Sequence, residues 1–169
     1  MSITRKIAVA AMGAVMLSGA VVGTSSVAAA ADTVGFWARA QNEADDTNLA
    51  YTSTWAVVTQ KPGATSLEGW YFTKVDETAE GTGIYTIEGD NSRNCVTDKG
   101  TGQDVRLEPC EPGKLTQQWV VDTGQEHTTI ASRKNLNEVL TAEGVGKNVK
   151  LVQTYGKPSL NQLWTLIYF

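Results

Sequence analysis

The most constraining feature of this sequence is a tryptophan motif that returns at a nearly constant interval. It is clearest as Gln117-Gln118-Trp119 and Gln162-Leu163-Trp164, and a weaker copy is Glu68-Gly69-Trp70. The three tryptophans lie 49 and 45 residues apart. A motif that recurs at such a period indicates a chain built from repeated units of similar structure.

Other positions repeat with the tryptophans. Leu107 and Leu151 precede their tryptophans by 12 and 13 residues, and Thr59 precedes Trp70 by 11. One step earlier, three residues are predicted to be equivalent core positions: Leu49, Cys95 and Leu140. Short β-forming runs alternate with turn residues, and no sustained 3.6-residue apolar period is present. The sequence therefore predicts an all-β chain with about four strands in each of three pseudo-symmetric units.

The composition of the motif predicts a folding role. Residues two apart on a strand share a face, so the glutamine and the tryptophan should point to the same side. A buried amide needs hydrogen-bond partners, because leaving it unsatisfied costs roughly 1–3 kcal/mol. We therefore expect Gln117 and Gln162 to tie a neighbouring turn to the strand. Trp37 and Trp55 lie outside the motif and are predicted to pack in the core or on hairpins, with an exposed ligand platform as the alternative.

The N-terminal segment has the pattern of an export signal. Arg5 and Lys6 precede an uncharged run of mostly Ala, Val, Met, Leu and Gly, and small residues follow up to Ala31. This pattern predicts a secretory signal peptide over 1–31, cleaved near Ala30 or Ala31, and an extracellular location. A membrane anchor is the alternative, but the run is weakly hydrophobic for a span.

The charge balance limits the classes of binding partner, and the cysteine content predicts a covalent link. The mature chain would carry 12 basic and 18 acidic side chains, which argues against binding to nucleic acid or anionic membranes.

Cys95 and Cys110 are the only cysteines. In an exported chain an even count predicts a disulfide, worth roughly 3 kcal/mol for a loop of this length. Two buried free thiols are the alternative. We expect no metal site and no cofactor, since there is one histidine and no second cysteine pair.

These residues resemble one known family. Cys95-Val96, the run Val105 to Cys110 and Gln117-Gln118-Trp119 look like one repeat of a ricin B-type β-trefoil, and Val149-Lys150-Leu151 with Asn161 to Trp164 looks like another. The resemblance implies a β-trefoil over 32–169, a six-stranded barrel capped by three hairpins. The repeats would run over 32–78, 79–123 and 124–169, and the cysteine pair would match a disulfide within one repeat.

The family resemblance also implies carbohydrate binding in shallow pockets, at most one per repeat. Each pocket uses an aspartate after the first cysteine position, an aromatic ring after the V-x-L step, and an Asn-Gln pair before the tryptophan. In the third unit, Ala142 and Val152 replace the aspartate and the ring, but nearby residues can substitute for them. The predicted site there consists of four residues: Asn161, Gln162, Tyr155 and Glu143.

The other two units match less well. In the second, the aspartate position falls on Thr97, so the weaker predicted pocket uses Asp98 and Gln117. In the first, Tyr51, Lys61 and Leu67 occupy the corresponding positions, and we expect that pocket to be lost.

The resemblance leaves two classes of function open. The first is a secreted, non-catalytic carbohydrate-binding protein. The alternative is a β-trefoil that binds protein, such as a protease inhibitor or a toxin-associated subunit, through loops such as 61–63 or 77–80. No nucleophile motif, metal spacing or phosphate-binding loop indicates an enzyme.

Overall fold

The computed structural model describes residues 34–169, and the predicted signal peptide over 1–31 lies outside that part. The described chain forms twelve strands and two short 3-10 helices. The strands are β1 (Gly35–Asn42), β2 (Asn48–Tyr51), β3 (Val57–Gln60), β4 (Trp70–Glu77), β5 (Gly83–Gly89), β6 (Asn94–Thr97), β7 (Arg106–Pro109), β8 (Trp119–Val121), β9 (Ile130–Ser132), β10 (Asn135–Thr141), β11 (Lys150–Gln153) and β12 (Trp164–Tyr168). The helices are η1 (Leu115–Gln117) and η2 (Leu160–Gln162).

Six of these strands form a barrel and six form hairpins. β1 pairs with β12 and β4, β4 with β5, β5 with β8, and β8 with β9, all antiparallel. A bridge between Thr128 and Trp164 joins the segment before β9 to the start of β12, within the third unit. The remaining strands pair as β2–β3, β6–β7 and β10–β11. This arrangement is a β-trefoil, so the predicted fold class is confirmed.

The hairpins meet around a pseudo-threefold axis. Val57 donates its N–H to the carbonyl of Val105 (3.3 Å), Val105 to that of Val149 (2.9 Å), and Val149 to that of Val57 (2.9 Å). All three side chains are fully buried in one core cluster. The ring of backbone bonds holds the three hairpins together and satisfies groups that no strand ladder reaches.

The motif tryptophans occupy equivalent places in the three units, and their hydrogen bonds show that one predicted equivalence is wrong. All three are fully buried, and each indole Nε1 donates to a carbonyl of its own hairpin. The acceptors are Leu49 (2.9 Å), Val96 (2.9 Å) and Leu140 (3.1 Å). The prediction that Cys95 is equivalent to Leu49 and Leu140 is therefore wrong by one residue. Val96 pairs with Leu107 across β6–β7, and the neighbouring Cys95 bonds to Cys110 instead.

The motif glutamines do not lie on strands, contrary to prediction. Gln117 ends η1, and its tryptophan starts the next strand, because a helical turn precedes the extended backbone. The predicted folding role is nevertheless confirmed. The fully buried Gln117 amide donates to Thr97 Oγ1 (3.1 Å) and Pro109 O (2.9 Å), and its Oε1 accepts from Glu111 N (2.8 Å).

Two other sequence predictions have mixed outcomes. The Cys95–Cys110 disulfide is present, with a Cα–Cα distance of 5.0 Å. Trp37 and Trp55 are not core residues, since 37% and 43% of their surface remains exposed. Trp37 packs on Tyr71 with ring centroids 5.0 Å apart, and Trp55 projects from the β2–β3 turn.

Candidate functional site

Backbone hydrogen bonds define which residues of the three units are equivalent. In each unit, an N–H at the end of the first hairpin strand donates to the carbonyl three residues before the motif tryptophan. The donor–acceptor pairs are Tyr51–Leu67 (3.1 Å), Asp98–Thr116 (2.7 Å) and Ala142–Asn161 (2.9 Å). The aspartate position of the second unit is therefore Asp98. The prediction that it falls on Thr97 is wrong by one residue, as is the predicted equivalence of Cys95 with Leu49 and Leu140.

In the second unit, the predicted pocket residues face the protein interior. Asp98 is buried, and its carboxylate accepts hydrogen bonds from Ser132 Oγ (2.7 Å) and Gly100 N (2.6 Å). Gln117 is also buried, and it donates a hydrogen bond to Thr97, the residue before Asp98. Both side chains are thus engaged in tying loops together, and little of either is presented to a ligand.

An acidic side chain replaces the expected ring in the second unit. Glu108 forms an ion pair with Lys99 (2.6 Å) and lies 3.5 Å from Lys114 Nζ. The hydrogen bond from Lys99 lowers the pKa of Glu108 below its ordinary value, desolvation opposes the shift, and Lys114 adds to it. Glu108 is therefore charged and paired, which makes a poor surface for the apolar face of a sugar.

In the third unit, the Asn-Gln pair is held in a fixed orientation. Asn161 Nδ2 donates to Ala142 O (3.1 Å), and Asn161 Oδ1 accepts from Ser159 Oγ (2.6 Å). The buried Gln162 donates to Thr141 Oγ1 (3.4 Å) and accepts from Ser159 N (3.3 Å). Asn161 remains half-buried at the surface, so one amide hydrogen and one oxygen lone pair are still available to a ligand.

The other two predicted residues of this site stand apart from that pair. Tyr155 is 83% exposed, and its hydroxyl donates to Gln153 Oε1 (3.0 Å). Glu143 is also exposed, but it lines a cavity of about 300 Å³ that belongs partly to the second unit through Asp104. No hydrogen bond within residues 34–169 joins Tyr155 or Glu143 to Asn161.

In the first unit, the family positions carry different chemistry. Glu68 stands where the other units have glutamine, and its carboxylate accepts from Asn48 Nδ2 (2.7 Å) and from the N–H groups of Gly63 (3.2 Å) and Thr65 (3.4 Å). Every partner of Glu68 is a donor, so a carboxylate fulfils the folding role here. Lys61 is exposed beyond β3.

Tyr51 and Leu67, at the first unit's family positions, line a cleft of about 420 Å³ together with Trp55 and residues 90–92. The sequence offers a ligand platform at Trp55 only as the alternative to packing, and it does not bring Asp90 next to Trp55, because the two residues come from turns of two different units. The available signal was a tryptophan directly after the turn-forming run Thr52-Ser53-Thr54.

Other classes of site have no counterpart in the described chain. Between residues 34 and 169, no group of three or more His, Cys, Asp or Glu side chains is placed to hold a metal ion. None of the helices in that same range is long and apolar enough to cross a bilayer.

Several solved structures share the fold. A designed threefold-symmetric protein, ThreeFoil, is similar with a TM-score of 0.65 and 18% identity, over 79% of this chain and 99% of that chain. SeviL bound to asialo-GM1 saccharide is similar with a TM-score of 0.59 and 14% identity, over 80% and 98%. The C-half of the earthworm R-type lectin in complex with GalNAc is similar with a TM-score of 0.56 and 14% identity, over 79% and 99%. At these low identities, the structural similarity shows the β-trefoil fold alone.

The same fold also occurs within larger proteins. The chain spans only 16% of a mosquitocidal holotoxin and 30% of an exo-β-1,3-galactanase from Clostridium thermocellum. No protein-family model matches the sequence, and a search of curated proteins gives no match.

Proposed function

We propose that this β-trefoil is an exported, non-catalytic carbohydrate-binding protein. The observation that carries the proposal is the fold match to SeviL and to the earthworm lectin, both captured with saccharides and both covered over 98% or more of their length. The trefoil is thus essentially the whole of each of those chains. Fold alone does not settle function, so the proposal also needs a surface suited to sugars.

The third unit supplies one such surface. Asn161 offers a fixed donor and acceptor, which suit a pair of vicinal hydroxyl groups. Gln162 positions Asn161 through their common partner Ser159. The exposed ring of Tyr155 is amphipathic and can pack on the C–H face of a pyranose after a rotation of its side chain. Glu143 would reach only a second sugar residue, because it faces a neighbouring cavity.

A general acid at neutral pH needs a raised pKa. The pKa values of Asp76 and Glu108 are instead lowered by hydrogen bonds from the Glu77 N–H and from Lys99, respectively, so neither carboxylate suits that role. Export is supported by the signal-like pattern over 1–31.

A glycan array probed with mature chain 32–169 tests the proposal. We expect binding that free competing sugar abolishes, and weaker binding by the Asn161→Ala and Tyr155→Ala variants. Lys157→Ala is the matched control, since Lys157 is exposed near Tyr155 but carries no proposed contact. A folded chain that binds no glycan, but inhibits a protease, would replace this proposal with the protein-binding alternative.

A further inference from the structure

A second surface with the chemistry of a sugar site lies between the first and second units. We call it the Trp55 cleft. It is bounded by the β2–β3 turn, the segment before β4, and the β5–β6 turn of the next unit, and it encloses about 420 Å³. Its main walls are Tyr51, Trp55, Leu67 and Asp90. A cavity of this size admits a small ligand such as a single sugar ring.

The aromatic wall of the Trp55 cleft is both exposed and rigid. The Trp55 ring is stacked on Tyr51 with centroids 6.3 Å apart and an interplanar angle of 17°. Tyr51 contacts the core residue Trp70 edge-on at 5.5 Å, and its hydroxyl donates to the carbonyl of Asp90. The exposed indole of Trp55 therefore packs on the buried ring of Tyr51, which has contacts on two sides. Because the indole is already ordered, a ligand that binds to it causes little further loss of side-chain entropy.

The backbone around the Trp55 cleft is unusual. Residues 34–169 contain four non-glycine residues with positive φ, and three of them lie on or next to the turns that bound the cleft: Trp55 (64°), Asn91 (56°) and Arg93 (55°). A bulky side chain in this region is a genuine outlier and costs of order 1–3 kcal/mol. Trp55 is held there because its N–H donates to Thr52 O (2.9 Å) and its carbonyl accepts from Leu107 N (2.9 Å).

The corresponding turns of the other units avoid this strain. In them, Gln103 and Lys147 take the place of Trp55, since their carbonyls accept from Leu151 and Thr59 in the same cyclic pattern. The left-handed residues of those two turns are glycines, and they include Gly102 (73°) and Gly146 (72°), each one residue before the equivalent of Trp55. The first unit thus carries a tryptophan in a conformation that glycine adopts without strain. The equivalent positions in the other two units carry Gln103 and Lys147, so a hairpin of this fold does not require an aromatic ring there, whereas ligand contact gives a reason for one.

The polar groups of the Trp55 cleft are free to bind. The Asp90 carboxylate accepts no hydrogen bond from any group in residues 34–169, although Asp90 lines the cleft. Ser53 and Ser66 also line it, and their hydroxyls make no side-chain hydrogen bond in the described chain. An unpaired carboxylate with neighbouring hydroxyls matches the donors of a sugar ring.

We infer that the Trp55 cleft is a second saccharide site, which takes a neutral hexopyranose. The C–H face of the sugar packs on the Trp55 indole, and its hydroxyl groups donate to the Asp90 carboxylate. Acidic sugars are disfavoured by the negative charge of Asp90. This inference rests on the proposed carbohydrate-binding function. Its two proposed ligand contacts, Trp55 and Asp90, lie at neither the Asn-Gln positions nor the ring position that define the third-unit site, although Tyr51 and Leu67 in the cleft wall do occupy family positions.

NMR of the five tryptophan indole N–H signals tests the inference site by site. The protein is mature chain 32–169 carrying Asn161→Ala and Tyr155→Ala, which removes the third-unit contacts. The probes are the methyl glycosides of glucose, galactose, mannose and their N-acetylamino forms, with sialic acid as the acidic comparison. We expect a saturable shift of the Trp55 signal with at least one neutral glycoside and none with sialic acid. The Trp70, Trp119 and Trp164 signals should not move.

Variants in the same background provide the controls. Trp55→Gly suits the left-handed backbone, so it should keep the fold and the melting temperature while glycoside binding falls at least tenfold. Asp90→Ala should also weaken glycoside binding. Trp37→Ala removes the other exposed tryptophan and should leave glycoside binding unchanged.

The possible failures are distinguishable. If a glycan binds the unsubstituted chain but the Trp55 signal stays still, the cleft inference is wrong and the proposed function stands. If no glycan binds the unsubstituted chain on the array or in solution, both are wrong.

Discussion

The glutamine of the second motif should contribute measurably to stability, and its contribution can be worked out from its contacts. Gln117→Leu keeps a similar volume and removes three hydrogen bonds, to Thr97 Oγ1, Pro109 O and Glu111 N. At about 1 kcal/mol net for each bond, the loss is about 3 kcal/mol. The similar volume of leucine leaves no large cavity, so no further packing cost is added. We expect the free energy of unfolding to fall by roughly 2–3 kcal/mol.

The third unit provides a matched comparison for this prediction. Gln162 makes two side-chain bonds, at 3.3 and 3.4 Å, against three at 2.8–3.1 Å for Gln117. Gln162→Leu should therefore cost about 1 kcal/mol. Guanidinium denaturation of chain 32–169 measures both, with the slope of the transition unchanged. The reasoning is refuted if Gln117→Leu lies within about 0.5 kcal/mol of the parent protein, or if Gln162→Leu is the more damaging substitution.

Three further perturbations have defined outcomes. Replacing Cys95 and Cys110 together by alanine should lower stability by about 3 kcal/mol, measured by denaturation with and without reductant, and reductant should not affect the variant. The pKa of Glu108 is lower in the folded state than in the unfolded state, so ionised Glu108 stabilises the fold above its unfolded-state pKa, and this stabilisation is lost as the pH falls through the folded-state pKa. Glu108→Gln should therefore flatten the decline in the free energy of unfolding below about pH 4.5. An unchanged decline in acid would contradict this. A Cβ at Gly89 would lie 2.9 Å from the Tyr51 ring, so Gly89→Ala should cost about 1–3 kcal/mol in thermal unfolding and weaken glycoside binding in the Trp55 cleft; an unshifted melting temperature would contradict the packing argument.

The fold could be predicted because repetition reports it directly. Trp70, Trp119 and Trp164 are fully buried in equivalent places, so one motif fixed the number of units and the strand count of each. The register was wrong at Cys95 because a disulfide cysteine mimics a core residue in sequence. The hydrogen bonds of the indoles are what identify Val96 as the equivalent position.

The sites were harder to predict, because they depend on contacts between distant segments. Asp98 looks available in sequence, but Ser132, 34 residues away, occupies its carboxylate. The Trp55 cleft joins turns from two units, and the left-handed backbone of Trp55 leaves no mark in the residue pattern. Asn161 and Gln162 are adjacent in the chain, so sequence alone could place them together. Their role in sugar binding remains a prediction.

Isothermal titration calorimetry of chain 32–169 is the most direct test that this β-trefoil binds carbohydrate at two sites. The ligand is the methyl glycoside of the sugar that terminates the strongest array glycan. We expect saturable binding with two equivalents per chain, reduced to one by Trp55→Gly and to one by Asn161→Ala with Tyr155→Ala. Absence of binding by the folded chain, or a stoichiometry unaffected by both sets of substitutions, would contradict the proposal.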